Sequence, residues 1–224
     1  MKKVTGIILL AGASTRYNKG INKNLDLLEE KKIISYSIKK FLNNKNISEL
    51  VLAVRPQDID DLLLDINLNN ENNKPIKLIP GGETRQQSVY NALSIVDSDI
   101  VVIHDGARPL IKDSYIEKCI ESMDEYYAST IAVKAKDTIK IGNENNEVVE
   151  TTDRANTWVI QTPQCFDTEL LKFVHDKYKD EFVTDDCSLM EKEGLVVKLI
   201  EGDYTNIKIT TPDDLEIAKK LLKK

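Results

Sequence analysis

Three short stretches of the sequence combine small residues with charged side chains, and each lies near the end of an apolar run. They read "AGASTR" from Ala11, "GGETRQQS" from Gly81 and "HDGARP" from His104. Small residues let backbone N–H groups approach a phosphate closely, and nearby basic side chains meet its charge. The first stretch and the cations that follow it therefore fit a phosphate cradle made of Ala11, Gly12, Ala13, Ser14, Arg16 and Lys23.

The first stretch matches neither of the two common phosphate-binding motifs. It lacks the P-loop pattern G-x-x-x-x-G-K-[ST] and the dinucleotide pattern G-x-G-x-x-G, so it indicates neither an ATPase nor a dehydrogenase. A tight surface turn followed by solvated charges would have the same sequence. Both interpretations stay open for this stretch taken alone.

The second stretch has the form of a glycine turn that enters a helix. Gly81 and Gly82 precede Thr84, a residue type that caps helices, and Arg85 and Ser88 lie one turn apart on the helix that follows. Capping explains the glycines and the threonine. The arginine either faces the ends of the strands or is solvated.

The third stretch ends an apolar strand in a carboxylate. Asp105 could accept hydrogen bonds from ribose hydroxyls, hold a cation, or pair with Arg108 inside its own turn, and Ala107 keeps the turn small. His104 is expected to be a strand-end histidine without a catalytic role.

The elements that position these stretches alternate between strands and helices. Continuous apolar runs such as "VTGIILLAG", "ELVLAVR" and "DIVVIHD" are separated by segments of helical period such as "KIISYSIKKFLNN". This alternation predicts an α/β fold with a mainly parallel central sheet covered by helices on both faces. Ligands of such sheets bind at the carboxyl ends of the strands, where the three stretches fall.

One segment breaks the alternation. Between 136 and 156 the polar turn "GNENN" separates "DTIKI" from "EVVETT", which predicts a protruding β-hairpin arm. A polar two-stranded ribbon is only marginally stable alone, so the arm is expected to lean on its own domain or on a partner chain. The sequence as a whole predicts a single domain over residues 1–224, of which the arm is a part.

Composition excludes several classes of protein. The 224 residues are 41% hydrophobic and 30% charged, which is typical of a globular domain, and the net charge of -6 argues against nonspecific nucleic-acid binding. No apolar run approaches the roughly 18 residues of a membrane span. The three cysteines are far apart and odd in number, so we expect neither a disulfide framework nor a zinc site, and a cytoplasmic location.

Taken in order, the motifs of this chain resemble those of the 2-C-methyl-D-erythritol 4-phosphate cytidylyltransferase family. The resemblance covers nearly the whole chain and adds to the three stretches "DT" at 137–138, "TTDR" at 151–154, "TPQ" at 162–164, "TDD" at 184–186 and "NIKIT" at 206–210. It implies a Rossmann-like nucleotidyltransferase fold, transfer of a cytidylyl group from CTP to 2-C-methyl-D-erythritol 4-phosphate in non-mevalonate isoprenoid biosynthesis, and release of pyrophosphate. It also implies a homodimer in which residues 136–156 reach over the neighbouring subunit.

The resemblance assigns roles residue by residue. Three cations are implied to be catalytic: Arg16, Lys23 and Lys208. The nucleotide would be bound by Ala11, Gly12, Ala13, Ser14, Gly82, Arg85, Ser88, Asp105 and Ala107. The sugar phosphate would be bound by Thr138 from the partner's arm, Arg154, Thr184 and Lys208. The implied cofactor is Mg²⁺, or another divalent cation, carried mainly by the CTP phosphates rather than by protein ligands.

The sequence departs from the family pattern in three places. The family usually has Pro-Lys-Gln around the catalytic lysine, whereas this chain has "NKN" at 22–24. Gly106 stands where alanine is usual, and Thr205 stands where an acidic residue often precedes "NIK". The first departure leaves the anchoring of Lys23 and the role of Asn24 open.

Two alternative functions remain at this point. Ribitol-5-phosphate cytidylyltransferase shares the fold and part of the motifs, although "TTDR" and "TDD" favour methylerythritol phosphate. A non-catalytic nucleotide-binding regulatory or scaffold protein is the alternative from another class. The joint presence of the basic residues with Asp105 argues against it.

Overall fold

A computed structural model describes residues 2–12, 17 and 22–223, except the side chains at 64, 65, 67 and 68. The strands are β1 Val4–Leu9, β2 Leu27–Leu28, β3 Lys31–Lys32, β4 Glu49–Val54, β5 Ile76–Pro80, β6 Ile100–Asp105, β7 Ala128–Lys134, β8 Lys140–Gly142, β9 Val148–Thr151, β10 Trp158–Asp167 and β11 Val197–Glu201. The helices are α1 Ile33–Asn43, α2 Ile59–Asn69, α3 Arg85–Leu93, α4 Asp113–Ser122, α5 Thr168–Lys177, α6 Cys187–Lys192 and α7 Pro212–Leu222.

A seven-stranded sheet in the order β11-β7-β10-β6-β1-β4-β5 forms the centre of the molecule. Every pairing in it is parallel except those of β10, which runs antiparallel to both β6 and β7. Strands β4 and β6 are buried at every position, as expected of strands covered on both faces. The predicted α/β fold with a mainly parallel sheet is confirmed.

Helices cover the two faces of the sheet because successive side chains of a strand point to opposite sides. On one face Ile8 and Val102 pack with α1, α2 and α4. On the other face Ile7 and Val101 pack with α3, α5 and α6. Because helices cover both faces, the charged loops lie at the ends of the strands.

The predicted hairpin is present as β8 and β9, which pair antiparallel. All residues of both strands are exposed, including Val148 and Val149 at 63% and 66%. The two ends of the arm lie side by side, because Ala135 N–H donates to the Thr157 carbonyl at 2.9 Å. The arm therefore leaves the sheet and returns to it at one place.

The sequence "TNIKIT" at residues 205–210 predicts a strand, but the segment is irregular in the structure, so that prediction is wrong. Its anchoring comes from side chains, since the buried Asn206 Nδ2 donates to Gln161 Oε1 and to the Thr162 carbonyl, both at 3.0 Å. One backbone bond, from Ile209 N–H to the Ala107 carbonyl at 2.9 Å, ties the segment to the turn after β6. Within the described residues, no helix is long and apolar enough to cross a membrane.

Gly106 lies where the turn after β6 passes the end of β1. A Cβ at this position would lie 2.3 Å from Leu10 Cδ2 and 3.1 Å from the Leu9 carbonyl oxygen. Leu10 is itself 1% exposed and belongs to the core. The leucine therefore fills the space that an alanine methyl would need.

We predict that Gly106→Ala lowers the free energy of unfolding by about 1–3 kcal/mol, because the added methyl overpacks a filled core. Chemical denaturation of the wild type and the variant measures the loss. In a Leu10→Ala background most of this cost should disappear, because the clashing group is gone. Equal losses in both backgrounds would place the strain elsewhere.

Candidate functional site

The carboxyl ends of the parallel strands open into a small cavity of about 150 Å³. Strand ends meet there because the register pairs Leu9 of β1 with Asp105 of β6 and with Ala53 of β4. Nine residues predicted to bind ligand line this cavity: Ala11, Gly12, Lys23, Gly82, Arg85, Ser88, Asp105, Ala107 and Lys208. They come from five separate parts of the chain.

The glycine turn before α3 packs directly on the first predicted stretch. A Cβ at Gly81 would lie 2.1 Å from Ala11 Cβ, so the two turns touch only because this residue is glycine. Thr84 caps α3 by accepting a hydrogen bond from Gln87 N–H at 3.0 Å, as predicted. Ser88 Oγ accepts from Gly82 N–H at 3.0 Å and donates to the Thr84 carbonyl, which fixes the turn over the cavity.

Asp105 lies at the centre of the site and faces three cations. Its carboxylate is 2.8 Å from Lys208 Nζ, 3.4 Å from Arg85 Nε and 3.8 Å from Arg108 Nε. Burial by itself would raise the pKa of Asp105, but the charges of these cations outweigh burial and hold the pKa well below its usual range. The pairing with Arg108 considered from the sequence exists, and it is the longest of the three.

Arg85 is held from behind by a second buried carboxylate. Its Nη1 donates to Asp186 Oδ2 at 2.5 Å, and its Nη2 donates to Gln164 Oε1 at 3.3 Å. Asp186 is fully buried and its other oxygen lies 3.0 Å from Nε2 of the buried His175. Burial opposes ionisation of Asp186, yet Arg85 and His175 lower its pKa. The guanidinium is thus fixed between two carboxylates.

This support for Arg85 is not apparent from the sequence. His175 is predicted as an ordinary residue of an amphipathic helix, and "TDD" is expected to cap the next helix. Asp186 makes no capping bond through its side chain. The available signal was a pair of adjacent carboxylates before an apolar helix, which is also a common surface pattern.

His104 links the end of β6 to β10. Its Nε2 is 3.1 Å from the Arg108 carbonyl, which can only accept, so Nε2 carries the proton and Nδ1 accepts from Thr162 Oγ1 at 2.9 Å. Thr162 Oγ1 in turn accepts from Asp105 N–H at 3.1 Å. Burial lowers the pKa of His104 to about 4. The ring is therefore neutral at pH 7, which leaves Nδ1 able to accept the bond from Thr162.

A second cavity of about 630 Å³ shares Arg85, Asp105 and Lys208 with the first. Its lining is rich in hydrogen-bonding groups and includes the predicted Thr184. Asp185 is fixed there, since it accepts from Gln164 Nε2 at 2.8 Å and from Ser188 Oγ at 2.6 Å. Such a surface suits a ligand with several hydroxyl groups that places an anion near the shared cations.

Two of the predicted residues, Thr138 and Arg154, are described by the structure but do not line the described part of either cavity. Thr138 and Arg154 are exposed and lie on opposite sides of the base of the arm, where Thr152 N–H donates to the Ile139 carbonyl at 3.1 Å. Ala13, Ser14 and Arg16 lie outside the residues that the structure describes.

A protein cage for a metal ion is absent from the described part of the chain, where no three His, Cys, Asp or Glu side chains are grouped suitably. The buried carboxylate of the first cavity, Asp105, is already engaged by three cations. This donor set fits a divalent cation that arrives on a polyphosphate and keeps most of its water, as Mg²⁺ does.

Comparison with known proteins gives one consistent result. The family model of 2-C-methyl-D-erythritol 4-phosphate cytidylyltransferase matches residues 4–224. A protein of that name from Caldanaerobacter subterraneus subsp. tengcongensis is 44% identical over 99% of both chains, and one from Clostridium botulinum (strain Langeland) is 40% identical over 100% of this chain and 99% of its own.

Solved structures agree with the sequence comparison. The crystal structure of 4-diphosphocytidyl-2C-methyl-D-erythritol synthase from Anaerococcus prevotii superimposes with a TM-score of 0.87 at 32% identity, covering 100% of this chain and 99% of that one. The Francisella tularensis 2-C-methyl-D-erythritol 4-phosphate cytidylyltransferase gives 0.81 at 32% identity over 97% and 99%. The fold and the sequence therefore point to the same group of proteins.

We predict that His104 makes the protein lose stability in mild acid. Between pH 6.5 and about 4 the unfolded chain binds a proton at this residue and the folded chain does not, so unfolding becomes easier as the pH falls. The full window corresponds to about 3 kcal/mol in the free energy of unfolding. Urea denaturation at pH 7.0 and 4.5 of the wild type and of His104→Gln, which cannot titrate, measures the effect. The same pH-dependent loss in both proteins would contradict the assignment.

Proposed function

This chain belongs to the 2-C-methyl-D-erythritol 4-phosphate cytidylyltransferase family, and from that membership we propose how its own residues carry out the reaction. The enzyme transfers a cytidylyl group from CTP to 2-C-methyl-D-erythritol 4-phosphate, giving 4-diphosphocytidyl-2-C-methyl-D-erythritol and pyrophosphate in isoprenoid biosynthesis. The roles proposed for the described residues rest on where they lie relative to the two cavities.

One observation supports the assignment most strongly. Nine residues chosen from separate motifs line one cavity at the carboxyl ends of the parallel strands. Turns after parallel strands meet at this end of any such sheet. Unrelated turns would, however, have no reason to bring small residues together with Lys23, Arg85 and Lys208 there. The convergence also argues against a scaffold protein that has lost its site, since Lys23, Asp105 and Lys208 all line the same cavity.

The nucleotide occupies the first cavity. Ala11, Gly12 and Gly82 present backbone to the phosphates and the sugar, because small side chains permit close approach. Ser88, Arg85 and Ala107 complete the wall on the cytidine side, with Asp105 beside the ribose. Ala13, Ser14 and Arg16 extend the phosphate-binding stretch.

The chemistry needs no protein nucleophile and no general base. The second pKa of a phosphate monoester is about 6, so the sugar phosphate is mostly a dianion at pH 7 and can attack the α-phosphorus directly. A bond forms between its oxygen and that phosphorus, and the bond to the departing pyrophosphate breaks. The protein must hold two anions that repel each other in line and stabilise the charge that develops.

Three cations do this work. Lys23 lines the first cavity, and Arg16 follows Ala11 and Gly12 of its lining in sequence, so we assign both to the triphosphate and to the transition state. Lys208 lines both cavities and is the natural bridge between the attacking phosphate and the nucleotide. Its ion pair with Asp105 at 2.8 Å keeps it pointed at the shared wall.

The sugar phosphate occupies the second cavity. Thr184 and the fixed carboxylate of Asp185 offer hydrogen bonds to hydroxyl groups. The remaining contacts come from Thr138 and Arg154 of a second subunit, since both are exposed on the arm of residues 136–156 and neither lines the described part of a cavity in its own chain. We therefore assign the arm to a homodimer contact that completes the site. Its exposed valines supply apolar area for that contact.

Mg²⁺ is the cofactor that fits, held mainly by the CTP phosphates. When bound it neutralises phosphate charge and so assists the departure of pyrophosphate. The negative net charge of the chain supports the absence of nucleic-acid binding, and its three free, buried cysteines support a reducing compartment, the cytoplasm. The whole chain of residues 1–224 acts as one nucleotidyltransferase domain.

Pyrophosphate release from CTP and Mg²⁺ tests the function. We predict release with 2-C-methyl-D-erythritol 4-phosphate and at most slow release with D-ribitol 5-phosphate offered in parallel at equal concentration. A preference for ribitol phosphate would be compatible with the same mechanism, but it would identify the protein as a ribitol-5-phosphate cytidylyltransferase. No release with either would contradict an active transferase, provided that the protein is folded by circular dichroism.

Mixed dimers test the role of the arm. We predict that Arg154→Met and Lys23→Ala are each severely impaired at low sugar-phosphate concentration, and that mixing and re-equilibrating the two restores activity. Half of the dimers are then mixed and hold one intact site each, which gives about a quarter of the wild-type rate. Mixing two batches of the same variant is the control. No recovery would mean that Arg154 serves its own subunit or none.

A further inference from the structure

Asn22 ties the residue beside Lys23 to two other parts of the fold. It is 2% exposed, and its Nδ2 donates to the Leu10 carbonyl at 3.1 Å and to Asp58 Oδ2 at 2.6 Å. The first bond reaches the chain just after β1. The second reaches the start of α2. One side chain therefore joins the Lys23 segment to the sheet and to a helix.

Asp58 is itself held rigidly. Arg55 grips its carboxylate with two bonds, Nε to Oδ2 at 2.6 Å and Nη2 to Oδ1 at 2.9 Å. A backbone bond from Asp58 N–H to the Arg55 carbonyl closes the same turn at the end of β4. Such a bidentate contact fixes the orientation of the carboxylate as well as its position. Asp58 is 5% exposed and is a stable anchor for Asn22.

The other end of Asn22 shapes the backbone around Lys23. Asn22 Oδ1 accepts from Asn24 N–H at 3.1 Å, and the Asn22 carbonyl accepts from Leu25 N–H at 2.9 Å. These bonds start the single 3-10 turn of Lys23–Leu25. Asn24 Nδ2 adds a contact to the Leu10 carbonyl at 3.3 Å. The asparagines on either side of the lysine thus share one acceptor at the end of β1.

A lysine side chain has four rotatable bonds, so its backbone must be fixed if its ammonium group is to stay at one cavity. Lys23 lines the first cavity, while Asn22, Asp58 and Arg55 do not. The contacts of these three residues therefore act on the ligand cavity through the backbone at 22–24.

We propose that Asp58, held by Arg55 and acting through Asn22, is a positioning residue for Lys23. The proposal rests on the catalytic role of Lys23 in the proposed function. It gives a physical meaning to "NKN": the first asparagine is an anchor to Asp58, and the second is an anchor to β1. Asp58 touches neither substrate nor the reacting atoms.

The first measurement is the turnover of Asp58→Ala at saturating CTP and sugar phosphate. Misplacement of a catalytic group by about 1 Å can cost about a hundredfold, so we expect kcat to fall about tenfold or more while the KM for CTP changes less than about twofold. Asp58→Asn keeps an oxygen that can accept from Asn22 and should retain most of the turnover. Rates are expressed per folded molecule, from circular dichroism and thermal melting. Asn22→Ala, expected to lower kcat in the same way, replaces Asp58→Ala if that variant does not fold.

Glu49→Ala is the matched control. Glu49 is also a buried carboxylate that accepts from a hydroxyl and pairs with a cation, Thr5 Oγ1 and Lys77 Nζ, both at 3.0 Å. It is the first residue of β4, whereas the cavities lie at the carboxyl ends of the strands. We expect Glu49→Ala to lower stability and leave kcat unchanged. An equal fall in kcat for both variants would overturn the proposal.

A double-mutant cycle with Lys23→Ala separates this proposal from the one that it rests on. If Asp58 acts through Lys23, Asp58→Ala causes no further loss of kcat once the lysine is gone. The same fall in both backgrounds, or an unchanged kcat in Asp58→Ala while Lys23→Ala is severely impaired, would overturn the positioning role and leave the catalytic role of Lys23 intact. Near-normal turnover of Lys23→Ala would overturn the catalytic role, and the positioning role with it.

Discussion

The site depends on one buried carboxylate, Asp105, at the end of the central strand β6. An isolated charge at this depth would be very costly, and the chain compensates it with Lys208, Arg85 and Arg108 from three separate segments. All three cations pair with this one carboxylate, and Arg85 is held in addition by Asp186. The carboxylate thereby gathers helix α3, its own turn and the C-terminal segment around one point. Without a ligand, it also offsets cations that would otherwise repel one another.

This arrangement explains how a protein of net negative charge binds two anions. Arg85 is fixed between Asp105 and Asp186, so its guanidinium does not need to reorganise when a ligand arrives. Preorganised charge of this kind is the main way in which enzymes stabilise a transition state. Lys208 is partly exposed and lines both cavities, as the role proposed for it on both substrates requires. The acidic groups behind the cations are thus part of the anion site.

The strand ends and the residues gathered there were predictable from sequence, because hydrophobic period and turn composition are local signals. Gly82, Asp105 and Lys23 converge as the α/β pattern requires. The contacts of His175 with Asp186 and of Asn22 with Asp58 join distant side chains, and periodicity carries no information about such pairs.

The wrong expectation for residues 205–210 has a related cause. "TNIKIT" alternates as a strand does, yet the buried amide of Asn206 finds its partners in β10, and the segment lies along the site in place of a sheet ladder. A polar residue that is satisfied by side-chain bonds can override a period-two pattern. The family resemblance depends on residue identities at fixed positions. It therefore suggested a role for each site residue, which the pattern of hydrophobicity could not.

The antiparallel direction of β10 has a consequence for how this architecture can change. Because β7 ends where β10 begins, and Ala135 already bonds to Thr157, the two strands would form an ordinary hairpin if residues 136–156 were replaced by a short turn. The arm is therefore a self-contained insertion whose length and surface can vary without disturbing the sheet. Folding of the core and the subunit contact proposed for the arm would then be encoded in separable parts of the chain, so that each can evolve at its own pace.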